Sequence, residues 1–187
     1  RLMAQRDILE TLTQGPQELV DLLPWPMQVG RTGLAAWSAE RRVVGSHIDA
    51  DPSPAFLEQC LEFLVMLHGV GGGAAQRSVS ETARRCGEVC TRERDRYTLA
   101  ALGDSLDEVL ADVPRGFAHG DFWHENLLCD GDRLVGVIDW DGAGPGRLPL
   151  LDLIHFQASR VQAGGHMSLG AGVVQGPLVT ARAGGDE

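Results

Sequence analysis

After residue 115 the hydrophobic pattern shortens from a helical period to an alternating one, and that change constrains the fold more than any other feature of the chain. Gly116-Phe117-Ala118 leads into the polar run His119-Gly120-Asp121-Phe122-Trp123-His124-Glu125-Asn126. Leu127-Leu128 then reads as a short strand, Asp130-Gly131-Asp132 as a turn, and 134–139 as a second strand, which together predict a β-hairpin. A hairpin returns its end toward its start, so Asp121, Asn126 and Asp139 can converge. Two carboxylates and one amide oxygen suit a hard cation such as Mg²⁺, which keeps several waters and takes its other ligands from phosphates. The remaining carboxylate can accept a proton from a hydroxyl nucleophile.

The rest of the chain reads mainly as helices. Residues 2–14 place Leu2, Ile8, Leu9 and Leu12 at helical spacing, and Gly15-Pro16 stops them. A strand near 27–29, turn chemistry at Gly30-Arg31-Thr32-Gly33, a strand at 34–38 and an exit strand or linker at 41–44 follow. Asp51-Pro52-Ser53-Pro54 is a helix-start signal. It opens a helix over 55–69 that carries Phe56, Leu57, Cys60, Leu61, Leu64, Leu67 and His68, ended by Gly71-Gly72-Gly73. Residues 78–96 read as one exposed polar helix. Residues 99–110 read as an amphipathic one built on Leu99, Leu102, Leu106, Val109 and Leu110, closed by Val113-Pro114. Residues 148–156 look helical, and from Gly164 onward a loose Gly/Ala-rich tail is expected.

Composition narrows the chemistry. All 16 cationic residues are arginine, so any mechanism that needs a lysine of this chain is excluded, and Asn126 is the single asparagine. The formal net charge of −10 argues against a general nucleic-acid surface. No apolar run approaches the ~18 residues of a membrane-spanning helix, and the first ten residues lack the apolar stretch of a secretory signal. Cys60, Cys86, Cys90 and Cys129 form no C-x-x-C pair and read as small buried or half-buried thiols of a reducing cytoplasm. The chain starts with Arg1, which suggests that it begins inside a longer protein. The Asp139-Trp140-Asp141 triplet also has the D-x-D form of some nucleotide-binding glycosyltransferases, but three residues are a weak signal.

His119-Gly120-Asp121, Asn126-Leu127-Leu128, Val137-Ile138-Asp139-Trp140 and the later Gly146…Asp152-Leu153 resemble, in order and spacing, the signature of the aminoglycoside phosphotransferase and choline kinase-like family. Leu64-Val65-Met66-Leu67-His68 resembles the helix end that precedes that signature. The resemblance implies an α+β, protein kinase-like fold: a partial small lobe with the hinge at 1–45, a mostly helical large lobe with the catalytic hairpin at 46–160, and a tail at 161–187. It implies ATP- or GTP-dependent phosphoryl transfer to a hydroxyl of a small molecule, with no nucleic-acid or membrane partner. Asp121 would be the base or orienter for the acceptor hydroxyl. Asn126 and Asp139 would hold Mg²⁺. His119 and Asp152 would support the catalytic loop. Ser38, Ala39 and Glu40 occupy the hinge region that offers backbone groups to adenine.

The sequence departs from the family pattern on the nucleotide side. The family's glycine-rich hairpin and phosphate-binding lysine are not found, and Gln5 stands where the family's helix carries the glutamate partner of that lysine. The expectation is therefore a fragment of a phosphotransferase. The alternative is a non-catalytic, pseudokinase-like binding or regulatory module.

Overall fold

The computed structural model describes residues 2–48, 52–71 and 78–164. Helix α1 (Leu2–Leu12) and the short α2 (Gln17–Val20) precede an antiparallel hairpin, β1 (Pro26–Thr32) and β2 (Ala35–Glu40). Its two-residue turn has Gly33 at φ 62°, and Leu34 lies in that turn rather than in a strand. Gly30 faces Trp37 across the hairpin, and a methyl group there would come within 2.4 Å of the indole. Trp37 thus packs on its neighbouring strand, and its Nε1 donates to Thr32 Oγ1 at 3.2 Å.

Residues 41–45 form a linker without strand structure, the second of the two forms expected at 41–44. Pairing resumes only at β3 (Ser46–His47). The long helix α3 (Pro54–Gly69) starts as its sequence demands. Ser53 Oγ accepts a hydrogen bond from Phe56 N at 3.2 Å, and Pro54 occupies the first turn. Phe56, Cys60, Phe63, Leu64 and Leu67 turn inward, whereas Leu61 is exposed.

The region expected to hold one exposed helix at 78–96 contains a break. Helix α4 (Val79–Glu88) ends at Val89, and α5 (Glu93–Val109) begins at Glu93 and includes the segment expected as a separate helix at 99–110. Leu102 and Val109 of α5 are exposed, and the buried residue is Gly103. The missing side chain is the reason: a methyl group on Gly103 would come within 2.7 Å of Ser80 Cα and 2.8 Å of Ala83 Cβ. The two helices approach too closely for a larger residue, and this contact sets which face of α5 is buried.

The remaining segment follows as β4 (Gly116–Ala118), a single 3₁₀ turn (His124–Asn126), β5 (Leu127–Asp130), β6 (Arg133–Val137), a second 3₁₀ turn (Trp140–Gly142), β7 (Gly144–Arg147) and α6 (Leu150–Gly164). The expected hairpin is β5–β6, which lies in a three-stranded sheet of order β3-β5-β6. Strands β4 and β7 pair separately. The second strand ends at Val137, two residues before the point expected, and Asp139 lies beyond it. One core joins all these parts: Leu9, Leu12 and Leu19 from the start of the chain share it with Phe56, Phe63, Phe122, Trp140 and Phe156. Phe63 and Phe122 stack at 5.7 Å, and Phe122 meets the edge of Phe156 at 5.5 Å.

Cys60 is buried, and burial pushes its thiol up to about 12. Cys86 is exposed, contrary to the expectation for all four thiols. Among the described residues no helix is long and apolar enough to cross a membrane. The expected tail, apart from the end of α6, and Gly72-Gly73 lie outside the described residues.

Candidate active site

The polar loop between β4 and β5 is fixed by one buried carboxylate. Asp152, in the first turn of α6 and 2% exposed, accepts hydrogen bonds from His119 N at 2.7 Å and Gly120 N at 2.8 Å. His68 Nε2, at the end of α3, stands 3.6 Å from the same carboxylate. Burial alone would raise the Asp152 pKa, but His68 and the two N–H donors outweigh it and hold the carboxyl below its usual range. Gly120 adopts φ 81°, and a methyl group there would come within 2.4 Å of Gly142 O. Only glycine fits this position, where the loop runs against the turn after Asp139.

His119 is fully buried with both ring nitrogens satisfied. Nε2 lies 3.1 Å from Ile138 O, and Nδ1 accepts from Asp121 N at 3.3 Å. That pairing requires the neutral ring with its proton on Nε2. Burial holds the His119 pKa below the usual value, against the opposite pull of Asp152, the Ile138 carbonyl, Asp121 and Asp139. The ring therefore bridges the loop to the residue before Asp139.

Asp121 and Asn126 meet directly. Asn126 Nδ2 donates to Asp121 O at 2.9 Å and to Asp121 Oδ2 at 3.1 Å. With its NH₂ group turned to Asp121, the amide oxygen of Asn126 is the atom left to face a cation. The Asn126 backbone carbonyl accepts from Ile138 N at 2.9 Å, which brings Asp139 beside it. Asp139 is exposed and is the one non-glycine residue with positive φ among those described, at φ 62° and ψ 66°. Such left-handed backbone is uncommon outside glycine and is concentrated at functional sites. The oxygen-rich donor set of Asn126 and Asp139 fits a hard cation such as Mg²⁺. The other oxygen of Asp121, Oδ1, lies 3.7 Å from His155 Nδ1 on α6. The sequence reading missed His155, which lies outside the motif and is brought in by α6.

A cavity of about 400 Å³ borders Asp139 and is lined by Pro24, Glu40, Arg41, Arg42, Val43, Leu128 and Ile138. Its size lies in the range of small-molecule sites. Of the three hinge residues expected, Glu40 lines it. Ser38 and Ala39 are instead paired with Val29 and Gln28 inside the β1–β2 hairpin. The linker residues 41–43 line the cavity and were not singled out in the sequence. Burial, then the nearby charges of Asp141 and Asp139, raise the Glu40 pKa.

A family model described as the phosphotransferase enzyme family matches residues 7–187. The chain belongs to that family. No curated protein matches the sequence. Solved aminoglycoside phosphotransferase structures share the kinase-like fold of this chain. The aminoglycoside phosphotransferase APH(3'')-Id of Streptomyces rimosus, with ADP and streptomycin, superposes with a TM-score of 0.66 at 21% identity, over 88% of this chain and 68% of its own. A thermostable mutant of APH(4)-Ia gives 0.60 at 20% identity, over 85% and 64%. The GDP complex of aminoglycoside 2'-phosphotransferase-IIIa gives 0.61 at 17% identity, over 92% and 69%. The chain thus spans about two thirds of the length of these structures.

Proposed function

We propose that the protein transfers the terminal phosphoryl group of ATP or GTP to a hydroxyl of a small molecule. Asp121 faces the acceptor hydroxyl, and Asn126 and Asp139 hold Mg²⁺. The observation that carries this reading is the Asn126 amide, which binds Asp121 through its nitrogen and keeps its oxygen for a cation. When bound, Mg²⁺ neutralises phosphate charge. The chain's own residues do the positioning. Asp152 and His119 fix the loop, Asn126 orients the Asp121 carboxylate, and Asp121 accepts the hydroxyl proton. The cavity beside Glu40 and Asp139 takes the nucleotide base, in line with the ADP and GDP held by structural neighbours. On this reading 1–45 serve as the nucleotide side and 46–160 as the catalytic lobe.

Nucleotide binding and turnover test the two acidic roles separately. Asp139→Ala should abolish Mg²⁺-dependent binding of a fluorescent nucleotide, because it removes a metal ligand. In a parent extended upstream to supply a phosphate-binding lysine, Asp121→Ala should leave that binding nearly intact and abolish turnover of a hydroxyl-compound panel. Since the chain holds no lysine to grip the phosphates, its own turnover should fall far below the ~1–100 per second of kinases. Equal nucleotide affinity in wild type and Asp139→Ala would refute the metal assignment. In that extended parent, tight Mg²⁺-nucleotide binding without turnover of any acceptor would favour the non-catalytic reading.

A further inference from the structure

A second cavity, of about 620 Å³, opens between the start of α4 and the start of α6 and shares no lining residue with the nucleotide-side cavity. Arg115 and Arg147 both line it, together with Ser78, Val79, Leu148 and Leu151. None of its lining residues is acidic, in a chain of net charge −10. Both arginines are half-buried. Among the described residues neither guanidinium has a hydrogen-bond or ion-pair partner. The carboxylate bonded at the start of α4, that of Asp107, is engaged by Val79 N at 2.6 Å and Ser80 N at 3.1 Å. The cavity adjoins the catalytic loop: a methyl group on Gly120 would come within 2.7 Å of Arg147 Nη1. That guanidinium therefore lies one residue from Asp121.

We propose that this cavity is the acceptor subsite and that it takes an anionic group, a carboxylate or a phosphate ester, between Arg115 and Arg147. The acceptor is then a hydroxyl compound that carries negative charge rather than a polycationic amino sugar. The proposal rests on the phosphotransferase reading, since it assigns the cavity to the substrate of Asp121. Two half-buried guanidiniums with no carboxylate partner among the described residues present planar, bidentate donors that match carboxylate and phosphate oxygens. Leu148 and Leu151 supply an apolar wall for the carbon frame.

Inorganic phosphate is the probe, titrated calorimetrically into the full chain without Mg²⁺. Wild type should bind it, and Arg115→Gln and Arg147→Gln should each weaken binding about tenfold, the loss of one charge-assisted contact. Arg147→Lys should retain part of it. The melting temperature of each variant, expected near wild type, separates lost binding from lost fold. Asp139→Ala should bind phosphate as wild type does while losing Mg²⁺-nucleotide, so failure of the nucleotide reading and failure of this one give different results. Glycerate and homoserine should displace phosphate, whereas glycerol and 3-amino-1-propanol, which lack the carboxylate, should not. Displacement by none of the hydroxy acids would leave a site for free phosphate only and overturn the acceptor assignment. No phosphate binding, or binding unchanged in both glutamine variants, would overturn the site itself.

Discussion

Two aspartates in this molecule perform the same local task in opposite surroundings. Asp152 accepts from the consecutive N–H groups of His119 and Gly120 at the loop between β4 and β5. Asp107 accepts from the consecutive N–H groups of Val79 and Ser80 at the start of α4. Asp152, on α6, is buried against the end of α3, whereas Asp107 ties two surface helices together. The difference teaches that the bonding pattern alone does not set the strength of a clamp. In the core, water cannot replace the lost acceptor. At the surface it can.

The largest expected effect therefore lies at Asp152. Asp152→Ala removes the acceptor of the fully buried His119 N–H as well as that of the exposed Gly120, and should destabilise the protein on the order of 3 kcal/mol. Asp107→Ala makes the same deletion where water enters and should cost distinctly less. Chemical denaturation of the two variants against wild type measures both. Comparable losses would mean that burial is not what separates the clamps.

Gly103 tests whether the two regions are independent. Gly103→Leu drives a side chain into the backbone of Ser80 and into Ala83. It should cost about 1–3 kcal/mol, the usual range for overpacking. Hydrogen exchange should quicken over 79–109 and stay slow at His119 and Gly120. Equal loss of protection in both would make α4–α5 and the catalytic loop one cooperative unit.

The sequence was most legible where spacing alone forces an outcome. The hairpin and the Asp121–Asn126 contact follow from a strand–turn–strand pattern after a short loop, and Ser53-Pro54 marks the start of α3 because capping is local chemistry. It was least legible where a distant neighbour decides. The buried face of α5 is chosen by Gly103 against Ser80 and Ala83, a contact that no periodicity within α5 reveals. His155 reaches Asp121 only because α6 packs beside the loop. Asp139 was expected as the last residue of the second strand, but β6 ends at Val137 and the turn that follows holds Asp139 in left-handed backbone.

Acid should separate the two regions along the pH axis. His119 is neutral in the fold, its pKa held below the usual ~6.5 by burial. The unfolded chain then binds a proton that the folded one refuses, so stability is complete above about pH 6.5 and declines as pH falls below it. Protonation would also cost the bond that Nδ1 accepts from Asp121 N. Asp107 has its pKa lowered, first by the Ser80 side chain and then by the N–H groups of Ser80 and Val79. Its contribution is present above the ordinary carboxylate range near pH ~3.9 and is lost only as pH drops through the lower folded value. Between about pH 6.5 and 4.5 the loop between β4 and β5 should therefore weaken while α4–α5 does not. Melting temperature followed across that interval should slope downward in wild type, and His119→Gln, which cannot titrate, should flatten the slope whatever its effect at neutral pH. An unchanged slope in His119→Gln would show that the acid-sensitive group lies elsewhere, and the buried ring could no longer be credited with setting the two regions apart.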